Sequence, residues 1–273
     1  MDNRPIGFFD SGLGGLTCIP FFLRAFPDER IVYFGDTART PYGSKPPAII
    51  KKFAGEIADF LVKTHDVKMI VLACNTVSAV AAGGLRQRFP DIPVVGIISP
   101  AALTVANTCS ENNRIGIIGT KVTIESRAYQ TGILDIAPGL EVYNKACPAL
   151  VPLIEENIIE NPIMDMVLKH YLDQFFAENM IDTLVLGCTH YPLIRKNIEN
   201  LFSGLRIIDP SEEIIRDIRD ALTGRESPAE DKSPDHVFYA SDLSDNFRNM
   251  ISLIFSGGGY PVKFKNFDLD EIT

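Results

Sequence analysis

One pattern recurs in this chain, in the same order, at a spacing of about 110 residues. Ile6-Gly7-Phe8-Phe9-Asp10-Ser11 is echoed by Ile115-Gly116-Ile117-Ile118-Gly119-Thr120, and Val32-Tyr33 by Val142-Tyr143. Ile70-Val71-Leu72-Ala73-Cys74-Asn75-Thr76 returns as Leu184-Val185-Leu186-Gly187-Cys188-Thr189-His190. Ile97-Ile98-Ser99-Pro100-Ala101 returns as Ile207-Ile208-Asp209-Pro210-Ser211. Four echoes in one order imply two copies of one folding unit.

The content of each copy sets the class of that unit. Short apolar runs read as strands at Ile6–Phe9, Ile31–Phe34, Met69–Leu72 and Val94–Gly96. Others lie at Ile115–Ile118, Leu140–Tyr143, Thr183–Leu186 and Arg206–Ile208. They are short, nearly all apolar and flanked by Gly, Asp or Pro, as strands buried on both faces are. Helical stretches separate them, including Pro47–Thr64, Val77–Arg88, Pro162–Asn179 and Ser211–Leu222. The alternation predicts an α/β protein with mainly parallel sheets. Thr223–His236, polar with two prolines, reads as a surface loop or linker, and Ser256-Gly257-Gly258-Gly259 as a second break.

Composition narrows the functional classes. The 273 residues are 46% hydrophobic and 22% charged, enough apolar material for one or two cores. A net charge of −9 argues against a general nucleic-acid or anionic-membrane binder, which needs a basic footprint. No run approaches the roughly 20 apolar residues of a membrane span. Met1-Asp2-Asn3-Arg4-Pro5 lacks the basic and apolar regions of a secretory signal, so a cytoplasmic setting is expected. Five cysteines, at 18, 74, 109, 147 and 188, are too scattered for a disulfide framework, and C-x-x-C is absent.

Two of those cysteines invite chemistry. Cys74 and Cys188 each follow a Val-Leu-small strand, and parallel α/β units collect ligands at the carboxyl ends of strands. A helix N-terminus close by is expected to lower the thiol pKa from about 8.5. If the two copies face each other, the thiols approach one cleft from opposite sides. Inversion at carbon needs a base on one face and an acid on the other, and two opposed thiols supply both. Cys18, Cys109 and Cys147 read as small packing residues. The spacing of Cys74, Cys188 and His190 does not suggest a metal site.

Neighbouring residues supply candidate support. Asp10-Ser11-Gly12-Leu13-Gly14-Gly15 could hold an anion on its backbone N–H groups, yet it is neither a dinucleotide fingerprint nor a P-loop. Asp10 could bind an ammonium group, orient Cys74, or cap a helix. Asn75, Thr76 and Thr189 can donate to carboxylates, and His190 could assist Cys188. Gly35-Asp36-Thr37 and Pro41-Tyr42-Gly43-Ser44 read as turn chemistry. Glu155 reads as a first-turn helix acid, and His65, His170 and His236 as unremarkable.

Together these blocks resemble those of the glutamate racemases, within the cofactor-independent aspartate/glutamate racemase superfamily. The resemblance rests on residues 7–17, on Gly35-Asp36-Thr37 with Pro41-Tyr42-Gly43, on Ala73-Cys74-Asn75-Thr76, and on Gly187-Cys188-Thr189-His190-Tyr191-Pro192-Leu193. It runs to Asp209-Pro210, and the last sixty or so residues carry no motif of it. It implies two pseudo-symmetric α/β domains with the active site in the cleft between them, residues 1–96 plus 211–273 forming one and 97–210 the other. It implies a cytoplasmic homodimer without metal or pyridoxal phosphate that supplies D-glutamate for peptidoglycan synthesis. Cys74 would be the base for D-glutamate and Cys188 the base for L-glutamate, assisted by Asp10, Glu155 and His190. Asp10, Ser11, Pro41, Tyr42, Gly43, Asn75, Thr76, Thr189 and His190 would bind substrate. The first strand begins close to Met1, which argues against activation through a long preceding extension. The rival readings are an aspartate racemase, a non-catalytic amino-acid-binding protein and a thiol-redox protein; the last lacks a resolving cysteine nearby.

Overall fold

The computed structural model describes residues 2–223 and 235–242, and the backbone of 262–266. Its first half threads β1 (Ile6–Asp10), α1 (Ile19–Ala25), β2 (Ile31–Gly35), α2 (Pro47–His65), β3 (Met69–Leu72), α3 (Asn75–Arg88) and β4 (Val94–Gly96). Next come α4 (Ile98–Thr108), β5 (Arg114–Gly119), α5 (Lys121–Glu125), α6 (Ala128–Ile136), β6 (Glu141–Ala146), α7 (Leu150–Glu155) and α8 (Pro162–Asn179). β7 (Thr183–Gly187), α9 (Arg195–Leu201), β8 (Arg206–Ile208) and α10 (Pro210–Thr223) come after them. β9 (His236–Ala240) and β10 (Val262–Asn266) follow.

Two all-parallel sheets result, one in the order β10-β9-β2-β1-β3-β4 and one in the order β6-β5-β7-β8. The run β2-β1-β3-β4 and the run β6-β5-β7-β8 have the same topology, so the echo in the sequence is a repeated fold. Val32 and Val142 lie on the matching strands β2 and β6, and Cys74 and Cys188 follow the matching strands β3 and β7. The fourth echo falls differently: Ile97 and Ile98 lie past β4, whereas Ile207 and Ile208 lie inside β8.

Strand periodicity places the core. Ile6, Phe8, Ile31, Tyr33, Met69 and Val71 point to one face of the first sheet, and Phe9, Val32, Phe34, Ile70 and Leu72 to the other. The second face is covered by α2 and α3, with Ile50, Ala54, Ile57, Ala58 and Leu61 on the buried side of α2. The first face shares a continuous apolar cluster with Ile115, Ile117, Leu184 and Leu186 of the second sheet. The two halves are therefore joined through packed hydrocarbon, and α10 packs on α4 at that junction.

Several expectations need correction. β9 and β10 are additional to the strands expected from the sequence; β9 pairs with β2 and begins at His236, the last residue of the segment that reads as a linker. The foreseen strand Leu140–Tyr143 is Glu141–Ala146, a half-exposed sheet edge carrying Asn144 and Lys145. Residues 224–234 and the break at Ser256–Gly259 lie outside the described residues. Among the described residues, no helix is long and apolar enough to cross a membrane.

Candidate active site

The carboxyl ends of the two sheets enclose a cavity of about 260 Å³. Ser11, Pro41, Tyr42, Gly43, Cys74, Asn75 and Thr76 line it from the first half, and Cys188, Thr189 and His190 from the second. Both thiols thus reach one space from the ends of matching strands. Contact between the halves is close enough to require glycine at two points. A Cβ on Gly14 would stand 2.4 Å from Thr189 Oγ1, and one on Gly43 would stand 2.5 Å from Thr120 Cβ.

Cys74 leaves β3 in an extended conformation and caps α3, its sulfur accepting the Val77 N–H at 3.5 Å. Its thiol donates to Ser11 Oγ at 3.4 Å. Here the sequence expectation of a lowered pKa is overturned. Burial pushes the Cys74 thiol up to about 12, and the negative charge of Asp10 adds to the effect. The bonds to Ser11 and Val77 offset only part of it.

Cys188 sits in another setting. β7 is followed by a single 3-10 turn, Tyr191–Ile194, before α9 begins. The ring of His190 supplies the polar contact, with Nδ1 3.8 Å from Cys188 Sγ and Nε2 3.1 Å from Glu155 Oε1. Burial alone would lower the His190 pKa, but its bonds to Cys188 and Glu155 together hold it up to about 10. Glu155 is not a first-turn acid: it is the last residue of α7 and reaches His190 from behind the cavity wall. Asp10 also lies behind the lining. Its fully buried carboxylate accepts the Gly12 N–H at 2.9 Å and the Thr189 hydroxyl at 3.5 Å. Burial raises its pKa, opposed by the His190 charge and by the Gly15 and Gly12 N–H groups.

The motif read as simple turn chemistry holds a hub. Asp36, fully buried, accepts bonds from the Tyr42 hydroxyl, from Arg39 Nε at 2.7 Å and from Ser241 Oγ at 2.9 Å. Arg39 also reaches Glu56 at 2.6 Å and lies 4.0 Å over the Phe53 ring. The Pro41–Gly43 segment is thereby tied both to α2 and to the residue after β9.

Thr120 and Lys121 line the cavity and were not named from the sequence. The signal for Thr120 was present, since the echo sets it opposite Ser11. Its hydroxyl lies 3.0 Å from that of Thr76 and 3.0 Å from that of Thr123, a cluster of three hydroxyls that joins the halves. Such a cluster can donate to a carboxylate.

Comparison with known proteins gives one consistent answer. Residues 23–218 match the model of the Asp/Glu/Hydantoin racemase family. Over 265 residues the chain is 45% identical to the glutamate racemase of Chlorobaculum tepidum, covering 95% of this chain and 94% of that protein. It is 42% identical to the glutamate racemase of Streptococcus equi subsp. equi, covering 92% and 95%. The crystal structure of glutamate racemase from Francisella tularensis, in complex with D-glutamate, superposes with a TM-score of 0.91 at 37% identity, over 99% of this chain and 100% of that one. The chain belongs to the Asp/Glu/Hydantoin racemase family and, within it, to the glutamate racemases, two-domain amino-acid isomerases.

Proposed function

We propose that this protein interconverts L- and D-glutamate with Cys188 and Cys74 as the opposed acid and base. The observation that carries the reading is that both thiols line one cavity from the ends of matching strands. In the L-to-D direction, the Cys188 thiolate takes the Cα proton and leaves the electron pair on the substrate. Cys74, kept protonated by burial, gives its own proton to the opposite face. The product leaves Cys188 as a thiol and Cys74 as a thiolate, and the reverse reaction uses them in exchanged roles.

The remaining groups divide the work. His190 as imidazolium, held by Glu155, stabilises the Cys188 thiolate. Ser11, Asn75, Thr76 and Thr189, with the Pro41–Gly43 segment, hold the carboxylates and stabilise charge that develops on the one next to Cα. Asp10 shapes the glycine loop through the Gly12 N–H and, from behind the lining, favours the substrate ammonium by its charge. The D-glutamate serves peptidoglycan synthesis, the enzyme acts in the cytoplasm as a homodimer, and the two domains are residues 1–96 plus 211–273 and residues 97–210.

The test is racemisation in deuterated water with no added cofactor. Starting from either enantiomer, solvent deuterium is expected at Cα of the product. Folded protein that gives neither inversion nor exchange would sink the reading, and faster turnover of aspartate than of glutamate would reassign the substrate.

A further inference from the structure

One side chain touches the segments carrying both thiols, and nothing in the chemistry above uses it. Tyr129 rises from α6 and is buried. Its hydroxyl lies 2.5 Å from Asn75 Oδ1, beside Cys74 in sequence. Its ring edge packs on the residue before Cys188, since a Cβ on Gly187 would lie 3.4 Å from Tyr129 Cε2. Tyr129 thus stands behind the cavity and spans the two halves.

The second observation is on Asn75 itself. Its side chain is buried beside the cavity, and its Nδ2 has no hydrogen-bond partner in the protein. A buried donor is costly to leave unmet and calls for a partner from elsewhere. An amide can present either end. The phenolic proton of Tyr129 goes to the amide oxygen, which leaves the NH₂ end free. The reverse orientation would present an oxygen to a carboxylate and repel it.

We infer that Tyr129 is a positioning residue that fixes the amide of Asn75 with its NH₂ end available to a substrate carboxylate, and seats the Cys188 segment against the Cys74 segment. This rests on the racemase reading, with Asn75 as a carboxylate ligand.

The experiment is steady-state kinetics in both directions for Tyr129→Phe, Asn75→Ala and the double variant. Tyr129→Phe keeps the ring and removes the hydroxyl. It is expected to raise KM about 10-fold for both enantiomers, with kcat changed by less than about threefold. Because both substitutions remove one interaction, the double variant is expected to lie within about twofold of Asn75→Ala alone. A wild-type KM in Tyr129→Phe, or effects that multiply in the double variant, would overturn the inference. Asn75→Asp gives a test that leaves Tyr129 in place: the hydroxyl holds one oxygen and the other faces the substrate, so KM should rise above that of Asn75→Ala. Equal or tighter binding by Asn75→Asp would also overturn it. An inactive wild-type protein would instead break the racemase reading, so the two failures are distinguishable.

Discussion

Cys74 and Cys188 occupy matching strand ends, yet one is held by a hydroxyl and a helix N-terminus and the other by a histidine backed by a carboxylate. The backbone is duplicated and the side chains around the thiols are not. The substrate explains why they need not be. In the proposed reaction a chiral amino acid presents its proton to one thiol and its opposite face to the other, so symmetric walls would not fit it. The surroundings differ in charge as well: burial pushes the Cys74 thiol up to about 12, whereas Cys188 lies beside the His190 ring.

Thermodynamics limits how that asymmetry can be seen. Enantiomers have equal free energy in water, so kcat/KM must be equal in the two directions for every variant. The contrast between the thiols can show only in kcat and KM separately, or in pH dependence. The largest expected effect comes from removing either thiol. Cys74→Ser and Cys188→Ser should each lower kcat/KM by about 10²–10⁴-fold, the usual contribution of a positioned acid or base. Turnover retained in one of them would break the equivalence of the two.

Removing the cation should come next. His190→Asn deletes a charge-assisted contact of about 1.5–3 kcal/mol, so a loss of about 10- to 100-fold is expected. The pH profile gives an independent check. In the proposed reaction His190 acts as a cation, and a pKa held up to about 10 keeps it one through neutral pH. Activity should therefore be lost as pH rises through about 10, and His190→Asn should lack that limb. A limb that survives the substitution would belong to another group.

The smallest effects should lie on the Cys74 side. Ser11→Ala removes a neutral contact of about 0.5–1.5 kcal/mol, about 2- to 10-fold in rate. A loss as large as that of His190→Asn would erase the distinction drawn between the two thiols. Asp36→Asn, read as KM against kcat, should raise KM by a similar factor, because the Pro41–Gly43 segment loses a charged anchor. An unchanged KM would leave Asp36 as scaffold only.

The sequence disclosed most of the repeated unit because buried parallel strands leave a plain signature. Phe8 and Phe9 are both apolar since both faces of β1 are covered. Where a strand meets solvent the signature fades, and the apolar run Leu140–Tyr143 therefore marks only the start of β6. Among the site residues, those next to strand ends were legible, because strand ends can be counted along the chain. Those acting across the fold were not. Tyr129 touches Asn75 from another helix, and Asp36 gains Ser241 from beyond the repeat. Glu155 reads from the sequence as a first-turn acid, whereas α7 begins at Leu150 and ends at Glu155, with Asn157, at φ 57°, just beyond.

The pairing of β9 with β2 has a consequence for how the molecule is made. All strands of the four-stranded sheet fall between residues 114 and 208, so they leave the ribosome as one block. β2 emerges early but must wait for β9, which follows the whole four-stranded sheet in sequence, to cover its outer edge. Until β9 arrives, that edge offers unpaired N–H and C=O groups to any passing strand, a window for misassociation. The same pairing brings Ser241 to Asp36, so the loop beside the first thiol is finished only when a residue 205 positions further along the chain arrives.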